Sequence, residues 1–550
     1  MDFALAEVFE TVAHTVGDRD CIVQENRRYT YRETLERSYR LGNHLHSLGL
    51  GCRRERSELE PWESGQDHVG LYMHNCPEYL EGMIGCYSAR VAPFNVNYRY
   101  VEAELIYLLN DARAKGLIFH SAFADRVASV RESVPTLEHL IQVDDGSDVP
   151  LLEGAVWYHD ALAASSATRP PVRPTPDDLY ILYTGGTTGM PKGVLWRQGD
   201  IFPAALGGRA VGTHKEFDSL EEIAENARSG GLRMLPTAPF MHGAAHWLAF
   251  NGFTGGHTIV LPRETRHLDP AEVWATVERE RVGVMLIVGD AFARPLLDEL
   301  ADGRYDTSSL FLLISGGAAL NAAFKKRFLE LMPQVSILDA VGASETGQQA
   351  NHMAAAGSEP TTGTFTPGSG ACVVSSDMTR ILDPSEREVG WLAQRGRVPL
   401  GYLGDPEKTK KTFPVVDGER ISVPGDRARW RDDGTIELLG RDSVTINTGG
   451  EKVFAEEVEN VLRQHPAVYD AVVCGRPSER WGEEVVAVVQ LREGASVTPE
   501  DLLGECEKTL ARYKLPKDFV FVERVVRSPA GKADYRWARE VAAKAAIERS

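Results

Sequence analysis

Leu179-Tyr180-Ile181-Leu182-Tyr183-Thr184-Gly185-Gly186-Thr187-Thr188-Gly189-Met190-Pro191-Lys192-Gly193 decides the reading of this chain. Its first five residues are apolar or aromatic and predict a buried strand. The next ten hold four glycines, three threonines and one lysine. Glycine tolerates positive φ and lets the backbone come close to a ligand. Successive N–H groups can then converge on phosphate oxygens, with threonine hydroxyls as neutral donors and Lys192 as a point charge. The loop is not a Walker A motif, because Gly193 and Val194 follow Lys192 where Ser or Thr is required. It also lacks the GxGxxG dinucleotide spacing.

Upstream, Arg169-Pro170-Pro171-Val172-Arg173-Pro174-Thr175-Pro176 reads as a connector. Before it, Tyr31 to Leu41 has helical apolar spacing, and Asp67 to Met73 and Ala114 to Phe119 read as strands. The charged tract Cys52 to Gly65 is read as a surface insertion. Downstream, Val282 to Val288 and Leu310 to Ile314 are further strand candidates with helical segments between them. The alternation predicts an α/β fold with largely parallel sheets. The character changes near Gly440-Arg441-Asp442, giving expected domains of 1–441 and 442–550. The second is a small α+β unit: a helix over Ala455 to Leu462, strands at Ala471–Val473, Val485–Val489 and Phe519–Val522, and a helix opened by Thr498-Pro499-Glu500-Asp501.

The chain has 550 residues, 43% hydrophobic and 25% charged, with a formal net charge of -19. That length predicts at least two domains. The charge argues against nucleic-acid binding by bulk attraction. Seven scattered cysteines without metal spacing fit free thiols in a reducing cytoplasm. The acidic start Met1-Asp2-Phe3-Ala4-Leu5-Ala6-Glu7 predicts no secretory leader. No stretch is apolar for long enough to predict a membrane anchor.

Further segments follow the loop in order: Pro239-Phe240-Met241-His242-Gly243, Ser315-Gly316-Gly317-Ala318-Ala319-Leu320, Val341-Gly342-Ala343-Ser344-Glu345-Thr346, Gly401-Tyr402, Pro406-Glu407-Lys408-Thr409, Gly425-Asp426, Gly440-Arg441, Gly449-Gly450-Glu451-Lys452-Val453 and Ser528-Pro529-Ala530-Gly531-Lys532. Together they resemble the adenylate-forming superfamily of acyl-CoA synthetases, luciferases and peptide-synthetase adenylation domains. More narrowly, Tyr183 to Arg197, Met241-His242-Gly243, Gly289-Asp290 and Ser528 to Trp537 look like actinobacterial fatty-acyl and steroid side-chain CoA ligases.

The resemblance implies a large N-terminal domain of layered α/β subdomains and a small mobile C-terminal lid. It implies an acid–CoA ligase using ATP, Mg²⁺ and CoA on an apolar acid, a long-chain fatty acid or a steroid side-chain acid. It implies triphosphate contacts from Thr184, Gly185, Gly186, Thr187, Thr188, Gly189, Lys192 and Ser344, and adenine contacts from Gly316, Gly317 and Ala318. Asp426 and Arg441 would hold the ribose. Glu345 would be the Mg²⁺ ligand, His242 would lie near the substrate carboxylate, and Lys532 would be the adenylation lysine. Gly449, Gly450 and Lys452 would border the CoA tunnel, and the hinge would be Asp442 or Ser443. Gly401-Tyr402 and Pro406 to Thr409 are read as structural, and Arg197 to Pro236, Asn251 to Val260 and Gly289 to Leu296 as helping to line or border the acyl pocket. Val341 departs from the family's usual tyrosine. A homodimer is one arrangement open to the chain. Carrier-protein loading, luciferase-like chemistry and non-catalytic nucleotide binding are the competing readings.

Overall fold

The computed structural model describes residues 1–184, 190–210, 212–213, 215–448, 451–478, 481–527 and 531–549. The strand over Leu179–Thr184 forms as its composition predicts, and it is buried almost throughout. It continues into an antiparallel partner, Lys192–Arg197, which places Thr184 opposite Lys192 and Tyr183 opposite Gly193. The pair belongs to an eight-stranded sheet. On one side of the pair, Ala92–Asn95, His68–Tyr72, Ala114–His120, His139–Val143 and Ala155–Trp157 follow in parallel. On the other, Gly401–Tyr402 pairs antiparallel with Lys192–Arg197.

A second sheet of thirteen strands carries the other half of the nucleotide segments. Asp20–Gln24, Thr258–Leu261, Arg233–Pro236, Val284–Ile287, Leu312–Gly316 and Ser336–Ala343 run parallel. Strands such as Val284–Ile287 are fully buried, as a parallel sheet covered on both faces requires. From Ser336 onward the pairing turns antiparallel, through Gly347–Ala354, Thr364–Pro367, Ile436–Arg441, Asp426–Trp430, Gly390–Gln394 and Ala371–Val374. The expectation of largely parallel sheets therefore holds before this region and fails within it. Past Ala354 its strands are four to six residues long, and antiparallel neighbours need no helical crossover.

After Arg441 a one-turn helix, Asp442–Val444, leads into a separate five-stranded sheet. That unit has its own core, in which Val485 to Val489 are fully buried. Its helix Pro499–Glu507 starts with the expected capping box, Thr498 and Asp501 exchanging hydrogen bonds. The tract 52–65 is fastened rather than loose. Arg90 pairs with both Glu55 and Asp178 at 2.8 Å, and the Trp62 carbonyl accepts from Gly404 N. Among the described residues, no helix is long and apolar enough to cross a membrane.

Candidate active site

The antiparallel hairpin sets Thr184 and Lys192 side by side. The residues between them that were expected to grip phosphate, Gly185, Gly186, Thr187, Thr188 and Gly189, lie outside the described residues. Lys192 Nζ is 5.5 Å from the ring centroid of Tyr402. The Tyr402 hydroxyl donates to Glu345 Oε1 at 2.8 Å, and the Glu345 carbonyl accepts from Ser422 Oγ at 2.6 Å. The Ser344 carbonyl accepts from Trp196 Nε1 at 2.8 Å, tying this turn to the phosphate hairpin. Tyr402 reaches the site because Gly401 packs tightly on the following helix. A Cβ on Gly401 would stand 2.5 Å from Thr409 Cγ2. Asp405 caps that helix, Pro406–Thr412, and so fixes Lys408 on its first turn.

Burial and the nearby Lys408 ammonium lower the Lys192 pKa to about 8, against the pull of Glu345 and Asp405. Two mutually repelling cations, Lys192 and Lys408, thus stand beside two carboxylates, Glu345 and Asp405. Among the described residues, no cluster of three His, Cys, Asp or Glu could cage a metal. Glu345 still fits Mg²⁺, which binds one or two carboxylates while bridging substrate phosphates.

Strand Leu312–Gly316 ends in Gly317, at φ 86°, and Ala318. Gly289, at φ 51°, lies so close that a Cβ would be 2.4 Å from the Ala319 carbonyl oxygen. Asp426 and Arg441 face each other across paired strands, Arg441 Nε 3.3 Å from Asp426 Oδ1.

Lys532 arrives from the C-terminal unit and is half-buried in the junction. A cleft of about 120 Å³ is lined by Gly317, Ala318, Arg441, Glu456 and Lys532, among others. Burial and then Arg441 lower the Lys532 pKa, while Glu345, Asp426 and Glu456 oppose the shift. His242 stands at the N-cap position of the helix Gly243–Thr254 but makes no side-chain cap bond, and its buried Nε2 has no hydrogen-bond partner. Burial, then Lys532, push its pKa down to about 3, so the ring stays neutral. Lys532 thus acts electrostatically on His242, Glu345, Asp426 and Arg441 together. A larger cleft, about 340 Å³, is lined by Arg209, Arg395 and Arg397, but carboxylates already pair all three.

Asp442 accepts from Arg427 Nε at 3.0 Å and lies 3.7 Å from Lys452 Nζ. Ser443 belongs to the same one-turn helix. Lys452 is exposed on the strand Glu451–Phe454; Gly449 and Gly450 lie outside the described residues. The tract Gly289 to Leu296, expected to line or border the acyl pocket, forms most of the helix Gly289–Leu300. Asp290 and Ala291 line the cleft beside Lys532, and Phe292, Ala293 and Leu296 pack into the main core.

The sequence profile of the AMP-binding enzyme family matches residues 9–403, and that of the AMP-binding enzyme C-terminal domain matches 457–532. The chain belongs to this family. Over 541 residues it is 54% identical to the medium-chain acyl-CoA ligase Mig of Mycobacterium avium, covering 98% of each chain. Over 556 residues it is 41% identical to the 3-oxocholest-4-en-26-oate–CoA ligase of Rhodococcus rhodochrous, covering 98% of this chain and 96% of that one. Among solved structures, the anthranilate CoA ligase AuaEII bound to anthranoyl-AMP superposes with a TM-score of 0.81 at 23% identity, over 99% and 98% of the two chains. That likeness concerns the fold alone.

Three residues of this AMP-binding enzyme's site had no functional reading from sequence: Tyr402, Lys408 and Glu456. The first two lay in a segment read as structural. Glu456 offered a faint signal, an acid beside Glu457 at the start of an amphipathic helix, but such acids usually serve the helix dipole.

Proposed function

We propose that this chain is an ATP-dependent acid–CoA ligase for an apolar carboxylic acid. The observation that carries the reading is Lys532, half-buried at the domain junction and coupled electrostatically to Arg441, Glu345 and Asp426. The identity to the Mig ligase ranks a fatty acid first, and the steroid-acid ligase supports a side-chain acid second.

In the first step a substrate carboxylate oxygen attacks the α-phosphorus of ATP, and the bond to pyrophosphate breaks. Lys532 bridges the two anions and offsets their repulsion. Neutral His242 donates an N–H toward the carboxylate without adding charge. Lys192 and Lys408 take up the pyrophosphate charge, and Asp426 and Arg441 orient the ribose. Mg²⁺, held by Glu345 and the phosphates, would neutralise the leaving group. In the second step the CoA thiolate attacks the acyl-adenylate carbonyl and AMP leaves, the thiol proton passing to solvent. Rotation about Asp442–Ser443 would exchange Lys532 for the Gly449-Gly450 segment between steps. A cytoplasmic location belongs to the same proposal, consistent with seven free cysteines.

A pyrophosphate-release screen over fatty, aromatic and steroid acids, with and without CoA, tests the reading. Acid-dependent release with an acyl-CoA product is expected. Release without thioester product would instead support another acceptor, and ATP binding without release would reduce the chain to a nucleotide-binding protein.

A further inference from the structure

The helix Gly289–Leu300 belongs to the large domain, yet three of its residues meet the C-terminal unit. Asp290 Oδ2 lies 3.7 Å from Arg463 Nη1, with both side chains under a tenth exposed. Ala291 receives Gly531, where a Cβ would stand only 2.9 Å from Ala291 Cβ. Gly531 also has φ 69°, so its lack of a side chain serves both the turn and the close approach. The Arg294 guanidinium lies 4.3 Å from the Tyr469 ring centroid and 4.8 Å from that of Phe324, sandwiched between an aromatic of each domain.

These contacts connect directly to the lysine. Arg463 also reaches Asp470 at 3.4 Å. Asp470 binds Arg527 through both oxygens at 2.6 and 2.7 Å. Arg527 Nη1 donates to the Gly531 carbonyl at 3.0 Å, one residue before Lys532. On the other side, Asp290 Oδ1 accepts from Asn321 N at 2.7 Å, beyond the Gly317-Ala318-Ala319 turn. One carboxylate therefore joins the proposed adenine turn to the proposed lysine segment.

We propose that the helix Gly289–Leu300 is the seat on which the C-terminal unit docks for adenylation, with Asp290 and Arg294 as positioning residues. The inference rests on the two-step ligase reading and deepens it. The contacts suit a joint that opens in each cycle. Asp290 Oδ2 has no hydrogen-bond partner, so Arg463 compensates its charge only while the unit is docked. Burial accordingly pushes the Asp290 carboxyl up, against the pull of Arg463. Once the unit rotates away, water can solvate the carboxylate, and the large domain is left intact.

The test uses full-length Asp290→Asn and Arg294→Met. Asparagine keeps an acceptor for Asn321 N and removes the charge. Tyr469→Leu removes the same cation–π contact from the opposite domain. Two readouts are taken at matched thermal midpoints. Amide exchange around Gly531 should be faster in each variant than in wild type. Acyl-adenylate formation should fall about tenfold, while thioester formation from supplied acyl-adenylate stays at least at the wild-type rate. Unchanged exchange, or equal loss in both half-reactions, overturns the docking role. Absence of acid-dependent pyrophosphate release in the wild type would sink the ligase reading instead, and the exchange readout would still judge the seat.

Discussion

Tyr402 donates its hydroxyl proton to Glu345 Oε1 at 2.8 Å, across 57 residues of sequence and between two sheets. The bond orients the carboxylate that would hold Mg²⁺. A charge-assisted hydrogen bond contributes roughly 1.5–3 kcal/mol, so Tyr402→Phe should slow acid-dependent pyrophosphate release about tenfold or more. The KM for Mg-ATP should rise with it. A wild-type rate in this variant would remove Tyr402 from the site.

Lys192 and Lys408 should betray their repulsion as a proton count. The folded, ligand-free protein holds Lys192 at about 8, below the ordinary 10.5. Between those values the unfolded chain binds the proton more strongly, so this group's contribution to stability rises with pH there. A bound triphosphate restores the charge and takes up a proton, so ATP affinity should fall as pH climbs above about 8. Calorimetry with a non-hydrolysable ATP analogue, in two buffers of different ionisation enthalpy, reads the uptake directly. Lys408→Ala should diminish it. Identical heats in both buffers would contradict the pairing.

Glu456 carries the opposite sign. Burial, then Glu459 and Asp426, raise its pKa from 4.5 to about 7, against Arg441 and Arg463. Lys532 and Tyr535 also face it. Between those values the folded protein keeps a proton that the unfolded chain has released, so stability falls as pH rises through the window. Glu456→Gln mimics the protonated acid. Its thermal midpoint should match wild type near pH ~5 and exceed it near pH ~8. A constant difference across that range would show that Glu456 is not the titrating group.

The parts of this site that were legible in the sequence are those with local causes. Leu179 to Tyr183 reads as a strand because each residue favours a buried pleated surface, and the glycine-rich turn after it is self-evident. The helix behind Thr498 announces itself through its capping box. The order of short segments, from His242 to Lys532, indicated which side chains would share a site. What stayed hidden depends on distant partners. Tyr402 gains its role only when a two-residue strand adds to Lys192–Arg197. Glu456 is pushed up to about 7 first by burial and then by Glu459 and Asp426, all of which the fold supplies. Past Ala354 the antiparallel strands are only four to six residues long, where periodicity has little room to show. Asp290 meets Arg463 of the C-terminal unit only through the tertiary fold, which its local sequence does not show.

On the proposed ligase reading, adenylation depends on a lysine delivered by the C-terminal unit. The most direct test is Lys532→Ala, assayed separately for acyl-adenylate formation from ATP and acid, and for thioester formation from supplied acyl-adenylate and CoA. The first should fall by about 10²- to 10³-fold, the scale of losing one charge-stabilising contact in a transition state, while the second stays near wild type. Equal loss of both, or an intact first step, would contradict the account.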